Sequence, residues 1–492
     1  MNVEAAVSYI GRFIGIEPAE LGTRFESACT TTLVEQEMPN ASNGWKRRAV
    51  PVKVPNFWYA VHPVTGRRMF YCLSGYGPMI LGELHKSNIS VTEQDLMPSR
   101  LPEPSFDALS AIEWRGNQAS VLATMLAYRC GVIVCPTGWG KSFLLAALML
   151  MYPKSTIIFT VPSRDVAREI YDALVKVYVP VDEDDYVGFV GDGHHDPKRV
   201  TVAVSHSLKY CDKNAALLVG DECHALVSES FRMILKEFKR AKFIGMTASP
   251  TGRSDNGDSL IEAIFGPVIA TVDYGEAVTD GNIVPLKVWT FECRKGPDVT
   301  GIDRKDLKDR AGLWNNRDRN LLVVDAVNAA FKEYGEDAQI LIMVDKTEHA
   351  FRLQQLMPDF TVVTGDLDAD RAQELQKQGA LIPGQRLCTP KDRKRYKKEF
   401  SAGKLKRVIA TFVWSKGVNF QDLNVLVRAD GLGSSIQSTQ VPGRLSRLGT
   451  NKQKTHGLLI DFIDSFSSDL FGRSMSRLRV YKQHGWKIEK IS

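Results

Sequence analysis

From about Phe106 onward, short apolar runs alternate with helix-length amphipathic stretches. The first series of runs is Val132–Val134, Thr156–Val161, Val200–Val204, Leu217–Val219 and Phe243–Met246. Runs this short and this continuously apolar fit strands buried on both faces, and the helical stretches between them predict parallel sheets covered by helices. A second series repeats the rhythm at Gln339–Val344, Phe360–Val363, Val408–Thr411, Val425–Val427 and Leu458–Phe462. The pattern therefore predicts two α/β domains in tandem, joined near Asp273–Lys287.

The first 97 or so residues follow a different rhythm. Helix-like stretches at Glu4–Ile16 and Ala19–Ala28 lead into strand-like segments Ala49–Val54, Phe57–Val61, Met69–Leu73 and Met79–Leu84. This reads as a small α+β module with at least one hairpin, and Pro98, Pro102 and Pro104 mark the linker behind it. A length of 492 residues matches about three domains.

Composition narrows the class. Hydrophobic content of 44% and charged content of 24% are ordinary for a globular protein, and the net charge of +6 is compatible with a polyanionic partner. Eight cysteines without a C-x-x-C pair look like reduced thiols rather than a disulfide framework or a zinc site. The N-terminal residues lack a basic start followed by an apolar block, and the apolar stretch Phe143–Tyr152 is too short to span a bilayer. The expectation is a cytoplasmic protein of a prokaryote or phage-infected cell, with no membrane partner.

Chemistry enters at Cys135-Pro-Thr-Gly-Trp-Gly-Lys-Ser142, placed between an apolar run and a helix-like stretch. A strand, a glycine-bearing loop and a helix N-terminus together cradle phosphates. Gly138 and Gly140 let backbone N–H groups converge, Lys141 reaches the β- and γ-phosphates, and Ser142 holds Mg²⁺. Cys135 stands where the G-x-x-x-x-G-K-S/T pattern has its first glycine. About 80 residues on, Leu217-Leu-Val-Gly-Asp-Glu-Cys-His224 ends an apolar strand in two carboxylates. Asp221 is the expected Mg²⁺ ligand, and Glu222 the base for the attacking water. Thr247-Ala248-Ser249, at the tip of the next strand, are candidates for coupling the carboxylates to the rest of the machine. Arg444 and Arg447, three apart, share a face if helical and are the candidate cations for a transferred phosphoryl group.

This ordered set resembles a superfamily 2 helicase or translocase, and the resemblance covers roughly residues 110–470. It implies two tandem RecA-like parallel-sheet domains with ATP and Mg²⁺ as cofactors. Arg115 and Gln118 match the R-x-x-Q element that touches adenine in the family. Pro136, Thr137, Gly138, Trp139, Gly140, Lys141 and Ser142 match motif I. Val161–Arg164 resembles motif Ia, Ser205 sits where motif Ib often has threonine, and residues 221–224 form a DECH motif II. Residues 247–249 match motif III, Leu341–Arg352 resembles motif IV and Ile409–Asn419 resembles motif V. Gln440, Gly443, Arg444 and Arg447 match motif VI. The resemblance makes Lys141, Asp221, Glu222, Arg444 and Arg447 catalytic. It adds Gly417 and Gln440 to the nucleotide site, and makes Pro162, Ser163, Arg164, Ser205 and Thr411 contacts to nucleic-acid phosphates.

Within the superfamily the wording is closest to the branch of XPB, RecG and phage UvsW. Asp280–Pro285 looks like that group's interdomain connection, and the basic, aromatic end from Arg473 to Ile491 like its tails. The expected partner is DNA, whether duplex, single-stranded or branched, with RNA possible and protein partners unspecified. The expected boundaries are 1–105 for the accessory module, 106–285 and 286–470 for the two RecA-like domains, and 471–492 for a basic, aromatic tail. The favoured activity is ATP-driven helicase or translocase action on branched DNA in replication, recombination or repair. An RNA helicase, a restriction-type motor subunit and a non-unwinding ATP-gated clamp are the alternatives. Two basic clusters stay open between nucleic-acid contact and solvated surface: Trp45–Arg48 with Phe57–Tyr59, and Lys391–Lys398.

Overall fold

The computed structural model describes the chain except residues 1–3, 11, 38–47, 62–65, 96–100, 108, 110–111, 178–186, 251–256, 415–419, 421, 434–441, 450–453 and 492. It divides into two compact units: residues 1–135 with 140–272, and residues 273–492 with the four-residue segment 136–139.

In the first unit, the N-terminal module holds a five-stranded sheet in the order β5-β6-β2-β1-β7. Its strands are β1 (Glu4–Ile10), β2 (Phe13–Glu17), β5 (Phe57–Val61), β6 (Arg68–Leu73) and β7 (Ser90–Asp95). A separate antiparallel ribbon joins β3 (Thr30–Glu37) to β4 (Arg48–Pro55). The helix expected over Glu4–Ile16 is instead the β1–β2 hairpin, paired from Ala6↔Glu17 to Ile10↔Phe13. Its buried positions repeat every second residue, Ala5 and Val7 on one strand and Ile14 and Ile16 on the other. Conversely, Met79–Leu84 lies in a helix, Gly77–Lys86, that buries Ile80 and Leu84 at i, i+4 behind a first-turn proline. Of Ala19–Ala28, only Ala19–Gly22 is α-helical, followed by a 3₁₀ turn at Thr23–Phe25.

This module is packed onto the first parallel sheet. The buried Arg12 guanidinium lies 3.5 Å above the Phe243 ring and donates to the Ile264 carbonyl at 2.9 Å. Burial lowers the pKa of Arg12 to about 10. The backbone comes equally close at Gly75, where a Cβ would sit 2.1 Å from the Glu262 carbonyl oxygen.

That parallel sheet has the order β11-β10-β12-β9-β13-β14-β8-β15. The strands are β8 (Cys130–Val134), β9 (Ile157–Val161), β10 (Val187–Gly191), β11 (His194–Asp196), β12 (Val200–Val204), β13 (Leu217–Asp221), β14 (Lys242–Thr247) and β15 (Val268–Thr271). Only the short edge strand β11 runs antiparallel to its neighbour. Helices Gln118–Ala127, Lys141–Met151 and Arg164–Val177 supply connections. β9, β12 and β13 are buried along their whole length, which is why they read as unbroken apolar runs.

The second unit contains an all-parallel sheet in the order β18-β19-β17-β20-β21-β16-β22. Its members are β16 (Leu286–Cys293), β17 (Ile340–Val344), β18 (Thr361–Val363), β19 (Arg407–Thr411), β20 (Val425–Arg428), β21 (Gly457–Asp464) and β22 (Lys487–Ile491). Residues 471–491 do not form a tail. They complete the helix Ser468–Gln483 and supply β22, which pairs with β16 from Lys287↔Lys487 to Phe291↔Ile491. Tyr481 and Trp486 belong to the core, and Arg477 is buried against Asp461.

Candidate active site

The strands β8, β13 and β14 end side by side, so the turns that follow them converge on one edge of the first sheet. Chain segments at the C-terminal edge of a parallel sheet are free to bind ligands because the strands themselves carry the scaffold.

After β8 the chain enters the phosphate-loop sequence. Cys135, in the place of the expected first glycine, donates its N–H to the Thr247 carbonyl at 3.0 Å. It is not among the residues with positive φ, so this position needs no glycine. Its thiol is buried and pushed up to about 12, which makes it inert packing. The left-handed positions are Gly138 (φ +90) and Gly140 (φ +115). Gly140 caps the helix Lys141–Met151 without a side-chain bond; its carbonyl accepts from the Phe143 N–H at 2.9 Å, so the Lys141 and Ser142 amides are the candidate donors to an anion. Gln118 is buried, and its Oε1 accepts from the Arg115 N–H at 3.2 Å. Its Nε2 lies 2.5 Å from where a Cβ on Gly140 would be. A Gly140→Ala variant is expected to combine that clash with about 1–3 kcal/mol of backbone strain. It should lower ATPase kcat/KM roughly 10-fold or more, measured against the parent chain at equal folded fraction; parental kinetics would remove Gly140 from the site.

Lys141 and the strand-end carboxylates form one cluster. The Lys141 Nζ lies 3.2 Å from Asp221 Oδ1 and 3.5 Å from Glu222 Oε1. Burial works against the Lys141 ammonium, yet the two carboxylates outweigh it and hold its pKa above the ordinary lysine value. Burial pushes the Asp221 carboxyl upward against the opposing pull of Lys141. Glu222 takes a left-handed conformation (φ 51), rare for a non-glycine residue, and its N–H donates to Asp221 Oδ1 at 2.9 Å. This turn sends the chain away from the sheet while both carboxylates remain beside Lys141.

Sequence reasoning missed one member of the cluster. The His224 Nδ1 lies 2.9 Å from Thr247 Oγ1 and 3.5 Å from Glu222 Oε2. Thr247 Oγ1 also accepts from the Ser249 N–H at 3.0 Å. His224 thus connects Glu222 to Thr247–Ser249, the segment expected to couple catalysis. The signal was its place as the last letter of the DECH motif.

The other expected residues take these positions. Ser142 follows Lys141 in the first turn of its helix, with Pro136, Thr137 and Trp139 in the preceding loop. Arg115 is exposed, and Ala248 is buried between Thr247 and Ser249. Pro162, Ser163 and Arg164 follow β9, and Ser205 follows β12, on the same sheet edge. Arg164 is exposed and pairs with Asp192 at 2.8 Å. In the second unit, Thr411 ends β19, while Gly443 and Arg444 lie in the 3₁₀ turn Pro442–Arg444 rather than in an α-helix. Arg447 follows that turn. Gly417 and Gln440 lie outside the described residues, as do Trp45, Lys46 and Arg47.

Known proteins resemble the chain over the segment that carries these residues. The family described as the type III restriction enzyme res subunit matches residues 111–252, which span the phosphate loop, the strand-end carboxylates and Thr247–Ser249. The DNA 3'-5' translocase XPB2 of Sulfurisphaera tokodaii is 26% identical over 382 residues, covering 73% of this chain and 83% of the relative. The chain is thus similar to DNA helicases and translocases over this region. A second relative, the putative DNA 3'-5' helicase Rad25 of Haloarcula marismortui, is 25% identical over 327 residues. That match covers 64% of this chain and about half (48%) of the relative's length. Among solved structures, Saccharomyces cerevisiae Dbp5 bound to RNA and ADP BeF3 aligns with a TM-score of 0.52 at 14% identity, covering 78% of this chain and 92% of that one. At that identity the likeness shows a shared fold alone. No helix among the described residues is long and apolar enough to cross a membrane.

Proposed function

We propose that the chain is an ATP-dependent DNA translocase that remodels branched DNA. The observation carrying this reading is the cluster of Lys141, Asp221 and Glu222 at a helix N-terminus that no side chain caps. It combines a phosphate cation, a metal-binding carboxylate and a base in one place. The donor set suits Mg²⁺, with Ser142 and Asp221 as its holders; the ion would neutralise phosphate charge. Glu222 would take the proton of the attacking water, with His224 fixing its carboxylate. Arg444 and Arg447 would supply positive charge to the phosphoryl group in flight. Pro162, Ser163, Arg164, Ser205 and Thr411 would hold backbone phosphates, giving affinity without sequence preference.

DNA is favoured over RNA because the two relatives above are named as a DNA translocase and a DNA helicase. The test is ATPase rate without nucleic acid and with single-stranded DNA, duplex, a four-way junction and matched RNA. Strongest stimulation by duplex or junction supports the proposal, and stimulation by RNA alone overturns the DNA assignment. The res-subunit match favours a second reading, a motor serving a nuclease carried by another chain. That motor would track along duplex without remodelling junctions.

A further inference from the structure

The basic run Lys391–Lys398 lies in the second unit, on the helix Pro390–Ser401. Its inner face is set by Asp392, Tyr396 and Phe400 at i, i+4 and i+8; Phe400 is buried and Tyr396 packs against the core. Opposite them, Lys391, Lys394 and Lys398 are all exposed. Their spacing of three and four residues puts them on one face, over a length of about 10 Å.

The other cations of the run are engaged. Arg393 pairs with Asp366 at 2.8 Å and donates to the Thr364 carbonyl at 3.2 Å. Arg395 lies 3.0 Å from Asp392 and 3.8 Å from Glu399. Lys391, Lys394 and Lys398 have no carboxylate within ion-pair distance among the described residues. Like charges three and four apart destabilise a helix by roughly 0.2–0.5 kcal/mol per pair. Here a capping box offsets the repulsion: Thr389 Oγ1 accepts from the Asp392 N–H, and the Asp392 carboxylate accepts from the Thr389 N–H. The Arg393 contact with Thr364 fixes the first turn of the helix just beyond the end of β18. Neighbouring β19 ends on that same edge, at Thr411.

We infer that Lys391, Lys394 and Lys398 form a phosphate-contacting stripe for nucleic-acid backbone, additional to the contacts expected of the motifs. A row of unpaired ammonium groups held rigidly along a capped helix fits a polyanion of regular charge spacing, and carries no base readout. The inference rests on the DNA-motor reading.

The test is the salt dependence of binding to a fluorescent duplex of mixed sequence, comparing the full chain with its Lys391→Gln/Lys394→Gln/Lys398→Gln variant. An equally charged control carries Lys154→Gln/Lys239→Gln/Lys305→Gln, at exposed lysines elsewhere. Three lost phosphate contacts should reduce the slope of log K against log salt by about 2–3. The stripe variant is expected to show that loss with unstimulated ATPase unchanged, while the control keeps the parental slope. A stripe variant with the parental slope, or a control that loses as much, overturns the stripe. Failure of the parent itself to bind duplex would overturn the motor reading first, and is recognised by the absence of any slope to compare.

Discussion

A Glu222→Gln substitution is expected to leave nucleotide binding near parental while lowering turnover by ~10²–10⁴-fold, the range for loss of a general base. The amide keeps the size of the carboxylate and can still face Lys141 and His224, 3.5 Å away on either side. It cannot accept the proton of the attacking water. Asp221 remains, 3.2 Å from Lys141, so the ammonium retains an ionic partner and the phosphate-binding end of the site keeps its charge. The measurement is a nucleotide Kd beside kcat with saturating DNA. A weakened Kd with kcat preserved would make Glu222 a counterion of Lys141 rather than a base, and near-parental values of both would remove it from the site.

The site was legible in sequence where its parts are local. Asp221 and Glu222 stand at the end of an apolar run, and Lys141 and Ser142 at the junction of a glycine-bearing loop with a helix. The link from His224 to Thr247 was not legible, because it depends on strand adjacency. β13 and β14 are parallel neighbours in which Asp221 lies opposite Met246, so the residues just past those strand ends meet. The same distinction governs the fold. Strands buried on both faces announced themselves as apolar runs. β22, with the charge-rich sequence Lys-Ile-Glu-Lys-Ile at a sheet edge, resembles a polar tail until its pairing with β16 is seen. β15 is only four residues long and partly exposed, so it left no run to read. In the N-terminal module, Ile10, Phe13 and Ile14 satisfy helical spacing as well as they serve a hairpin, and the sheet partner decides between them.

An Arg477→Ala substitution tests how far that last segment belongs to the second sheet. Exposed on a tail, the residue would matter by less than ~0.5 kcal/mol. Instead, its Nε approaches the two oxygens of Asp461 at 3.1 and 2.8 Å, and its Nη2 donates to the Phe462 carbonyl at 2.8 Å. The Tyr481 hydroxyl donates to the same carboxylate at 2.7 Å, and Arg428 Nη1 reaches Tyr481 Oη at 3.2 Å while its other nitrogens pair with Asp430. Burial opposes the Arg477 charge, but Asp461 outweighs it and keeps its pKa above the ordinary value. Truncation leaves Asp461 buried with Tyr481 and its own turn as partners, a change that costs about 3–5 kcal/mol when one member of a buried ion pair is removed. Replacing both members, as Arg477→Met with Asp461→Leu, should recover most of that loss, since two apolar groups leave no buried charge unpaired. Hydrogen exchange at the β21 and β22 amides reports the second unit without assuming that a chain of two units unfolds in one step. Protection falling in the single variant and returning in the double would establish the pair as part of the core. Unchanged protection in Arg477→Ala would return the segment to the surface.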